Sequence, residues 1–218
     1  MKYFPIFIDL KGKNVLVIGD YRILEFKIKK MIEAGAKITY LTELWPEQVK
    51  DLETSDNVIF IRDQFNASYL DDKWLVVCGS DNSELKDAIV RATAKRNIFC
   101  NFVDEAPISS FISPSVISKG DITIAISTKG KSPALNKHLK NKIGEIIGDE
   151  YSKLANILGK KREKVIEKIP AQKNRSELFD HIVQNPEILD LIKEGKVSEA
   201  EKIIDAVIDK EISRFKAR

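Results

Sequence analysis

The chain has 218 residues, 43% apolar and 32% charged, a composition typical of a globular protein with a substantial core. Its formal net charge is only +3, so no overall field would attract nucleic acid or an acidic membrane surface. No apolar run approaches the roughly 20 residues that cross a bilayer. The first residues also lack a signal-peptide pattern, and we therefore expect a cytoplasmic protein with neither nucleic acid nor membrane as its partner.

Short apolar strands alternate with helical patterns over the first hundred residues. The run NVLVIG at 14–19 is continuously apolar, as expected for a strand buried on both faces of a parallel sheet. Similar strands are predicted at 36–41, 57–61, 73–79 and 97–102. Because helical patterns separate these strands, they predict right-handed βαβ units and an α/β fold with a Rossmann-like, doubly wound parallel sheet.

The pattern changes after this stretch. Residues 109–130 carry closely spaced apolar runs with turn residues between them, which predicts antiparallel strands outside the parallel sheet. Residues 132–148 then form a helical pattern that Ser132 caps, and the remaining chain is helical and highly charged. We predict three parts, which are a Rossmann-like domain at 1–108, a β-rich element with a helix at 109–150 and a helical C-terminal domain at 151–218.

Five segments carry a family resemblance: YFPIFIDLKGKNVLVIG, KIKKMIEAGAKIT, WLVVCGSDNSELKDAI, IFCNFVDEAPISSFISPSVI and ITIAISTKGKSPALNKHLK. The most specific part is Asn101-Phe102-Val103-Asp104 followed by Ser110-Phe111-Ile112. In these segments the chain resembles the precorrin-2 dehydrogenase/sirohydrochlorin ferrochelatase family, which is also found as the N-terminal half of bacterial sirohaem synthase.

The resemblance implies a homodimeric enzyme of sirohaem biosynthesis, an oxidoreductase that converts the tetrapyrrole precorrin-2 to sirohydrochlorin with NAD. Some members also insert ferrous iron, which would add a ferrochelatase (lyase) activity. By the same resemblance the β-rich segment would be the dimerisation element, and the active site would lie in the cleft between the Rossmann-like domain and the rest. The sequence shows no metal-ligand motif, so the metal ligands are unknown.

Asp104 is the candidate catalytic residue. It follows the predicted strand IFCNFV, so it would lie at the carboxyl end of a parallel strand, where ligands of open α/β sheets bind. A carboxylate there could act as general base or accept pyrrole N–H protons during chelation. By position alone, a turn or capping aspartate is an equal alternative, and the resemblance favours catalysis.

A second candidate site is the turn before the helix at 132–148. Helix N-terminal amides bind anions, and the tetrapyrrole substrate carries carboxylates that such a turn could hold. The alternative is an ordinary capped helix with two solvated lysines. The predicted substrate-binding residues are Ser127, Thr128, Lys129, Lys131 and Ser132.

The turn after the first strand departs from the family pattern. Family members have three glycines here, because the backbone must turn tightly and touch a pyrophosphate. This chain keeps only Gly19. We expect Asp20 to place a carboxylate near the phosphates, Tyr21 to place a ring where the backbone should approach, and Leu24 to add bulk where the helix packs on the strand. Arg22 could offset Asp20 by pairing with it or by reaching a phosphate.

Three functions therefore remain open: an NAD-dependent dehydrogenase with an altered turn, a ferrochelatase that does not oxidise its substrate, and a non-catalytic tetrapyrrole-binding protein. Glu43 could accept hydrogen bonds from a ribose, and Ser80 could contact nicotinamide or cap the next helix. The residues that the resemblance places at the cofactor are Gly19, Arg22, Ile23, Glu43, Leu44 and Ser80.

Overall fold

The structure is a computed structural model that describes residues 3–43 and 56–216. The chain forms two compact units, Met1–Ser113 and Pro114–Arg218, and each is described by itself. Whether the chain divides into three parts at residues 108 and 150 stays a prediction.

The first unit contains a five-stranded parallel sheet. Its strands are β1 (Asn14–Gly19), β2 (Lys37–Thr42), β3 (Val58–Arg62), β4 (Leu75–Gly79) and β5 (Phe99–Phe102). They lie in the order β3-β2-β1-β4-β5, and every neighbouring pair is parallel. The predicted α/β fold is confirmed. Because the strand order reverses between β1 and β4, a crevice forms at the carboxyl ends of these two strands.

Two helices cover opposite faces of this sheet, α1 (Tyr21–Glu33) and α2 (Ser83–Arg96). Alternate residues of β1 serve the two faces: Val15 and Val17 join the core that includes α1, while Leu16 and Ile18 join the other core cluster. This explains the continuous apolar run, since each fully buried side chain stabilises the fold by about 1.5–3 kcal/mol relative to its exposed state.

Both cysteines belong to the core cluster on the α2 face and are free thiols. Desolvation by burial raises the pKa of Cys78 to about 12. The thiolate form is therefore scarce at neutral pH, and Cys78 serves as an apolar core residue.

The second unit begins with an antiparallel hairpin, β6 (Ser115–Lys119) and β7 (Ile122–Ile126), as the β-rich sequence pattern predicted. The helix α3 (Pro133–Ile146) follows, with Ser132 as its N-cap and Pro133 in its first turn. This helix packs on the hairpin and has no fully buried residue.

Four further helices complete the second unit: α4 (Asp149–Lys168), α5 (Gln172–Val183), α6 (Pro186–Lys193) and α7 (Val197–Lys216). Their shared core includes Ala200, Ile204, Ile208 and Ile212, which recur every four residues along one face of α7. Among the described residues, no helix is long and apolar enough to traverse a membrane.

Candidate active site at the carboxyl edge of the sheet

The first strand ends at Gly19, whose φ is +118°. A Cβ atom here would lie 2.1 Å from the carbonyl oxygen of Gly79, at the end of the neighbouring strand β4. The amide of Asp20 donates a hydrogen bond to that same oxygen over 2.9 Å. Gly19 is therefore required by the close approach of β1 and β4.

Asp20 is the N-cap of α1, and its Oδ1 accepts a hydrogen bond of 2.9 Å from the amide of Arg22. The guanidinium of Arg22 folds back onto the same carboxylate, with Nη2 2.6 Å from Oδ2. The side-chain hydrogen bond between them lowers the pKa of Asp20 and raises the pKa of Arg22. One helix N-terminal amide, a group that a phosphate could use, thus binds the chain's own carboxylate.

Tyr21 is directed into the hydrophobic core, and only 3% of it is exposed. Its ring packs edge-on against Tyr40, with 6.4 Å between the ring centroids. Tyr21, Leu24 and Ile28 follow helical spacing and form the buried stripe of α1. Helical periodicity turns this side chain inwards, and the expectation that its ring obstructs a cofactor stays a prediction.

Leu24 is fully buried, and Gly79 of β4 provides its space. A Cβ atom at Gly79 would lie 2.8 Å from Cγ of Leu24. In a dinucleotide-binding turn a small residue on the helix permits close helix–strand packing. Here the small residue lies on the strand and the large one on the helix, so the bulk of Leu24 is accommodated.

A cavity of about 420 Å³ opens beside this turn, at the carboxyl ends of β1 and β2. Ligand pockets commonly measure roughly 300–1,000 Å³. Ile23 lies outside the cavity with 44% of its surface exposed, and Leu44 lies outside the described residues. Four of the predicted cofactor-binding residues line the cavity: Gly19, Arg22, Glu43 and Ser80.

Asp20 and Tyr21 line the cavity as well, and sequence reasoning missed several further lining residues, among them Tyr40, Asp63 and Phe65. The hydroxyl of Tyr40 donates a 2.7 Å hydrogen bond to the carbonyl oxygen of Gly19. Desolvation raises the pKa of Tyr40 to about 12, so the hydroxyl keeps its proton at neutral pH. No sequence signal marks these residues, since their meeting depends on the order of β2, β3 and β1 in the sheet.

Asp104 lies in a turn two residues after β5, at the same edge of the sheet. Its φ is +62°, a left-handed conformation that aspartate adopts more readily than most residues. The amide of Glu105 donates to the carbonyl of Phe102 over 3.2 Å and closes the turn. Asp104 itself is exposed. A left-handed non-glycine residue at a sheet edge is a frequent feature of functional sites.

Two serine hydroxyls hold this turn against the edge strand. The amide of Phe102 donates to Oγ of Ser109 over 2.9 Å, and Ser109 Oγ donates to the carbonyl of Glu105 over 2.8 Å. The amide of Cys100 donates to Oγ of Ser110 over 2.7 Å. Since β4 is the only sheet neighbour of β5 in the described part of the chain, these hydroxyls satisfy amides that a further strand would otherwise bind.

Two lysines also converge near Asp104, and sequence reasoning missed both. Lys86 of α2 is paired with the neighbouring Glu105. Lys27 of α1 donates to Oδ1 of Asn101 over 3.1 Å and to Oγ of Ser113 over 2.6 Å. Desolvation lowers the pKa of Lys27, and the negative charge of Asp104 opposes that shift. A lysine on an otherwise amphipathic helix carries no signal by itself.

The second predicted site, at the start of α3, is held by its own side chains. Oγ of Ser132 accepts from the amide of Leu135 over 3.1 Å, and Oγ1 of Thr128 accepts from the amide of Ser132 over 3.2 Å. The amide of Lys129 donates to Oγ of Ser127 over 3.0 Å. The lysines at 129 and 131 are both exposed. The structure thus brings together the five predicted substrate-binding residues in one capped turn.

Two family models match the chain. A family described as "Putative NAD(P)-binding" matches residues 6–115, which is half of the chain and contains both the cavity and Asp104. The chain belongs to this NAD(P)-binding family. A second model, described as "Sirohaem synthase dimerisation region", matches residues 150–208. These residues form the helices that follow the β-rich segment, whereas the sequence resemblance implies that the β-rich segment itself is the dimerisation element.

Curated relatives and a solved structure agree with these matches. The chain is 31% identical to a siroheme synthase of Ruthia magnifica subsp. Calyptogena magnifica over 96% of its own length and 44% of the relative. It is 27% identical to the siroheme synthase of Edwardsiella ictaluri (strain 93-146), covering 95% of itself and 45% of the relative. The chain therefore spans less than half the length of these relatives.

The fold is similar to that of SirC, a precorrin-2 dehydrogenase, with a TM-score of 0.76 at 21% identity, over 95% of this chain and all of the other. The family resemblance drawn from the sequence segments is confirmed.

Proposed function

We propose that this chain oxidises precorrin-2 to sirohydrochlorin with NAD, within sirohaem biosynthesis. The observation that carries the proposal is the position of two features at one edge of one sheet. A cavity of cofactor size opens at the ends of β1 and β2, and Asp104 follows β5. In open α/β sheets a cofactor and the group that acts on its substrate meet at this edge.

The residues around the cavity fit a dinucleotide. The tight β1 turn at Gly19 leaves no room for a Cβ atom, and Arg22 lines the cavity, where its guanidinium would bind a pyrophosphate on leaving its ion pair with Asp20. Glu43, beyond the end of β2, lines the cavity and would accept hydrogen bonds from ribose hydroxyls. Ser80, after β4, would contact the nicotinamide half. When bound, NAD supplies a hydride acceptor.

Asp104 would accept the proton that the tetrapyrrole loses as its hydride departs, which completes a two-electron oxidation. Its exposed carboxylate is free to meet a large substrate, and the left-handed turn and the serine hydroxyls fix its backbone. The turn at residues 127–132, within the second unit, carries two exposed lysines whose ammonium groups would bind carboxylates.

Selectivity for NAD over NADP follows from the acidic groups of the cavity. Glu43 and Asp63 both line it. A 2′-phosphate would bring further negative charge towards these carboxylates, whereas a free 2′-hydroxyl could donate a hydrogen bond to Glu43. We expect NADP to support turnover at least tenfold less efficiently than NAD, measured as kcat/KM. Equal efficiency would contradict this assignment of Glu43.

Ferrous iron insertion into sirohydrochlorin is a second candidate function. It is favoured by one observation, namely that the Asp20 carboxylate uses a helix N-terminal amide that NAD could otherwise bind. The described residues contain no group of three or more His, Cys, Asp or Glu side chains able to hold a metal ion. Chelation would therefore rely on the nitrogens of the macrocycle, with Asp104 accepting their protons.

The test is anaerobic incubation of the purified chain with precorrin-2, with and without NAD. The formation of sirohydrochlorin is measured by its absorbance. We expect sirohydrochlorin to form only when NAD is present. Ferrous insertion is tested separately with sirohydrochlorin and no NAD, so that the two functions give independent results.

A further inference from the structure

Lys27 differs from the other lysines of α1 in its partners. Lys29 is paired with Glu25, and Lys30 with Glu33, each over 2.6 Å. The two hydrogen bonds of Lys27 both go to neutral oxygen atoms, those of Asn101 and Ser113. No carboxylate among the described residues lies within 4 Å of its Nζ atom. An ammonium group has three donors, so one N–H remains for another acceptor.

The side chain of Lys27 is also partly withdrawn from water, and desolvation is the main cause that lowers its pKa. Removing a charge from water without pairing it is unfavourable, so a partly buried cation generally has a counter-ion. The charge of Asp104 acts on Lys27 without forming an ion pair with it. The site therefore holds an ammonium group that Asp104 compensates only from a distance, with no carboxylate in direct contact among the described residues.

The neutral partners of Lys27 are themselves fixed. Asn101 is only 5% exposed, and its Nδ2 donates to the carbonyl oxygen of Phe111 over 3.1 Å. This bond sets the orientation of the amide, so its Oδ1 faces Lys27. Asn101 lies on the face of the sheet that α1 covers, opposite Val77 in the register of β4 and β5. A buried polar residue on an apolar face indicates a specific role, and here it holds the ammonium in place without cancelling its charge.

We propose that Lys27 is a substrate-binding residue, whose ammonium group binds a carboxylate of the tetrapyrrole and so places the macrocycle beside Asp104. The inference deepens the proposed function, on which it rests. The substrate class has the required chemistry, since precorrin-2 and sirohydrochlorin are polycarboxylates. A charge-assisted hydrogen bond to the third donor of Lys27 would supply the missing counter-ion.

The experiment measures binding apart from turnover. Sirohydrochlorin is titrated anaerobically into the wild-type chain, Lys27→Met and Lys29→Met, and binding is followed by absorbance and tryptophan fluorescence. We expect Lys27→Met to weaken binding by about 10- to 100-fold, the range of a lost charge-assisted hydrogen bond. Lys29→Met, which removes a charge from the same helix, is the matched control and should bind as the wild type does.

Three further readouts distinguish substrate binding from a structural role. Lys27→Arg should restore part of the affinity, because it returns a cation, and the KM for NAD should stay unchanged in every variant. The affinity of Lys27→Met should depend less on salt concentration than that of the wild type. Lys27→Gln keeps an N–H donor for Asn101, so it tests the charge if the Met variant does not fold.

Wild-type affinity in folded Lys27→Met or Lys27→Gln would overturn the assignment of Lys27 and leave the proposed function standing. A wild-type chain that neither binds sirohydrochlorin nor oxidises precorrin-2 would overturn both.

Discussion

Asp104 combines an exposed carboxylate with a left-handed backbone, and this combination decides which substitution can test it. Alanine is strained at a φ of +62°, whereas asparagine adopts that conformation readily. Asp104→Asn removes the base and keeps the turn. We expect precorrin-2 oxidation to fall by about 10²- to 10⁴-fold with unchanged thermal unfolding. The matched control is Asp87→Asn on the exposed side of α2, and retained turnover in Asp104→Asn would show that another group accepts the proton.

Asp20 has two roles in the turn, since it caps α1 and adds negative charge beside the cavity. Asp20→Asn keeps the capping oxygen and removes the charge, and it releases the guanidinium of Arg22 from its ion pair. We expect NAD to bind about three- to tenfold more tightly, because roughly 1 kcal/mol of repulsion is lost at the surface. Calorimetry that finds the same affinity would show that Asp20 lies outside the reach of the phosphates.

The same variant carries a pH signature. The hydrogen bonds from Arg22 lower the pKa of Asp20 below its ordinary value of 3.8. A lowered folded-state pKa contributes stability that is present above that ordinary value and is lost as pH falls through the folded pKa. The difference in free energy of unfolding between wild type and Asp20→Asn should therefore shrink on acidification below about pH 4. A difference that is constant from pH 7 to pH 2.5 would contradict this.

Leu24 of α1 and Gly79 of β4 form one packing unit. Gly79→Ala would force Cβ against Leu24 at 2.8–3.1 Å and should destabilise the fold by about 1–3 kcal/mol. Leu24→Ala leaves a cavity and should cost about 2–5 kcal/mol. The double variant should cost less than the sum of the two by about 1 kcal/mol or more, because alanine at 79 partly fills the cavity. Additive changes in denaturant unfolding would mean that the two residues are independent.

The edge strand β5 depends on serine hydroxyls to complete its hydrogen bonding. Ser109→Ala would leave the buried amide of Phe102 without its acceptor, at a cost of about 1–3 kcal/mol. We expect hydrogen exchange to accelerate at Phe102 and through the turn that carries Asp104. Ser118→Ala, on the exposed face of the hairpin, should leave that exchange unchanged. Unchanged protection in Ser109→Ala would show that another group accepts this amide.

Local patterns were sufficient to predict most elements, including the β1 strand and the Ser132 cap of α3 with its following proline. These features depend on neighbouring residues and on a period of two or 3.6. Two contacts of the site could not be predicted from local sequence patterns. Gly79 compensates for Leu24 from 55 positions away, and Lys27 meets Asn101 from 74 positions away. Pairings of this kind depend on the strand order, which no local pattern reveals.

Tyr21 shows what comparison with a sequence motif can and cannot predict about a side chain. Comparison with a glycine-rich turn predicts that the Tyr21 ring obstructs a cofactor, and this stays a prediction because Tyr21 lines the cavity. The position of Tyr21 one turn before Leu24 already places it on the buried stripe of α1, and the structure follows that spacing. Helical periodicity therefore predicts the burial of this side chain, which the motif comparison does not address.

At the scale of the whole molecule, we expect a homodimer, because residues 150–208 match a dimerisation region. Light scattering after gel filtration should give twice the mass of one chain at micromolar concentration. A monomer throughout that range would show that the matched helices do not associate in this chain.

We propose that the altered turn after Gly19 still serves an NAD-dependent oxidation. The most direct measurement is the anaerobic conversion of precorrin-2 by the wild-type chain, with sirohydrochlorin followed by absorbance in the presence and absence of NAD. We predict multiple turnovers that require NAD, at a rate that Asp104→Asn lowers by about 10²- to 10⁴-fold. Folded protein that produces no sirohydrochlorin at saturating NAD would contradict it.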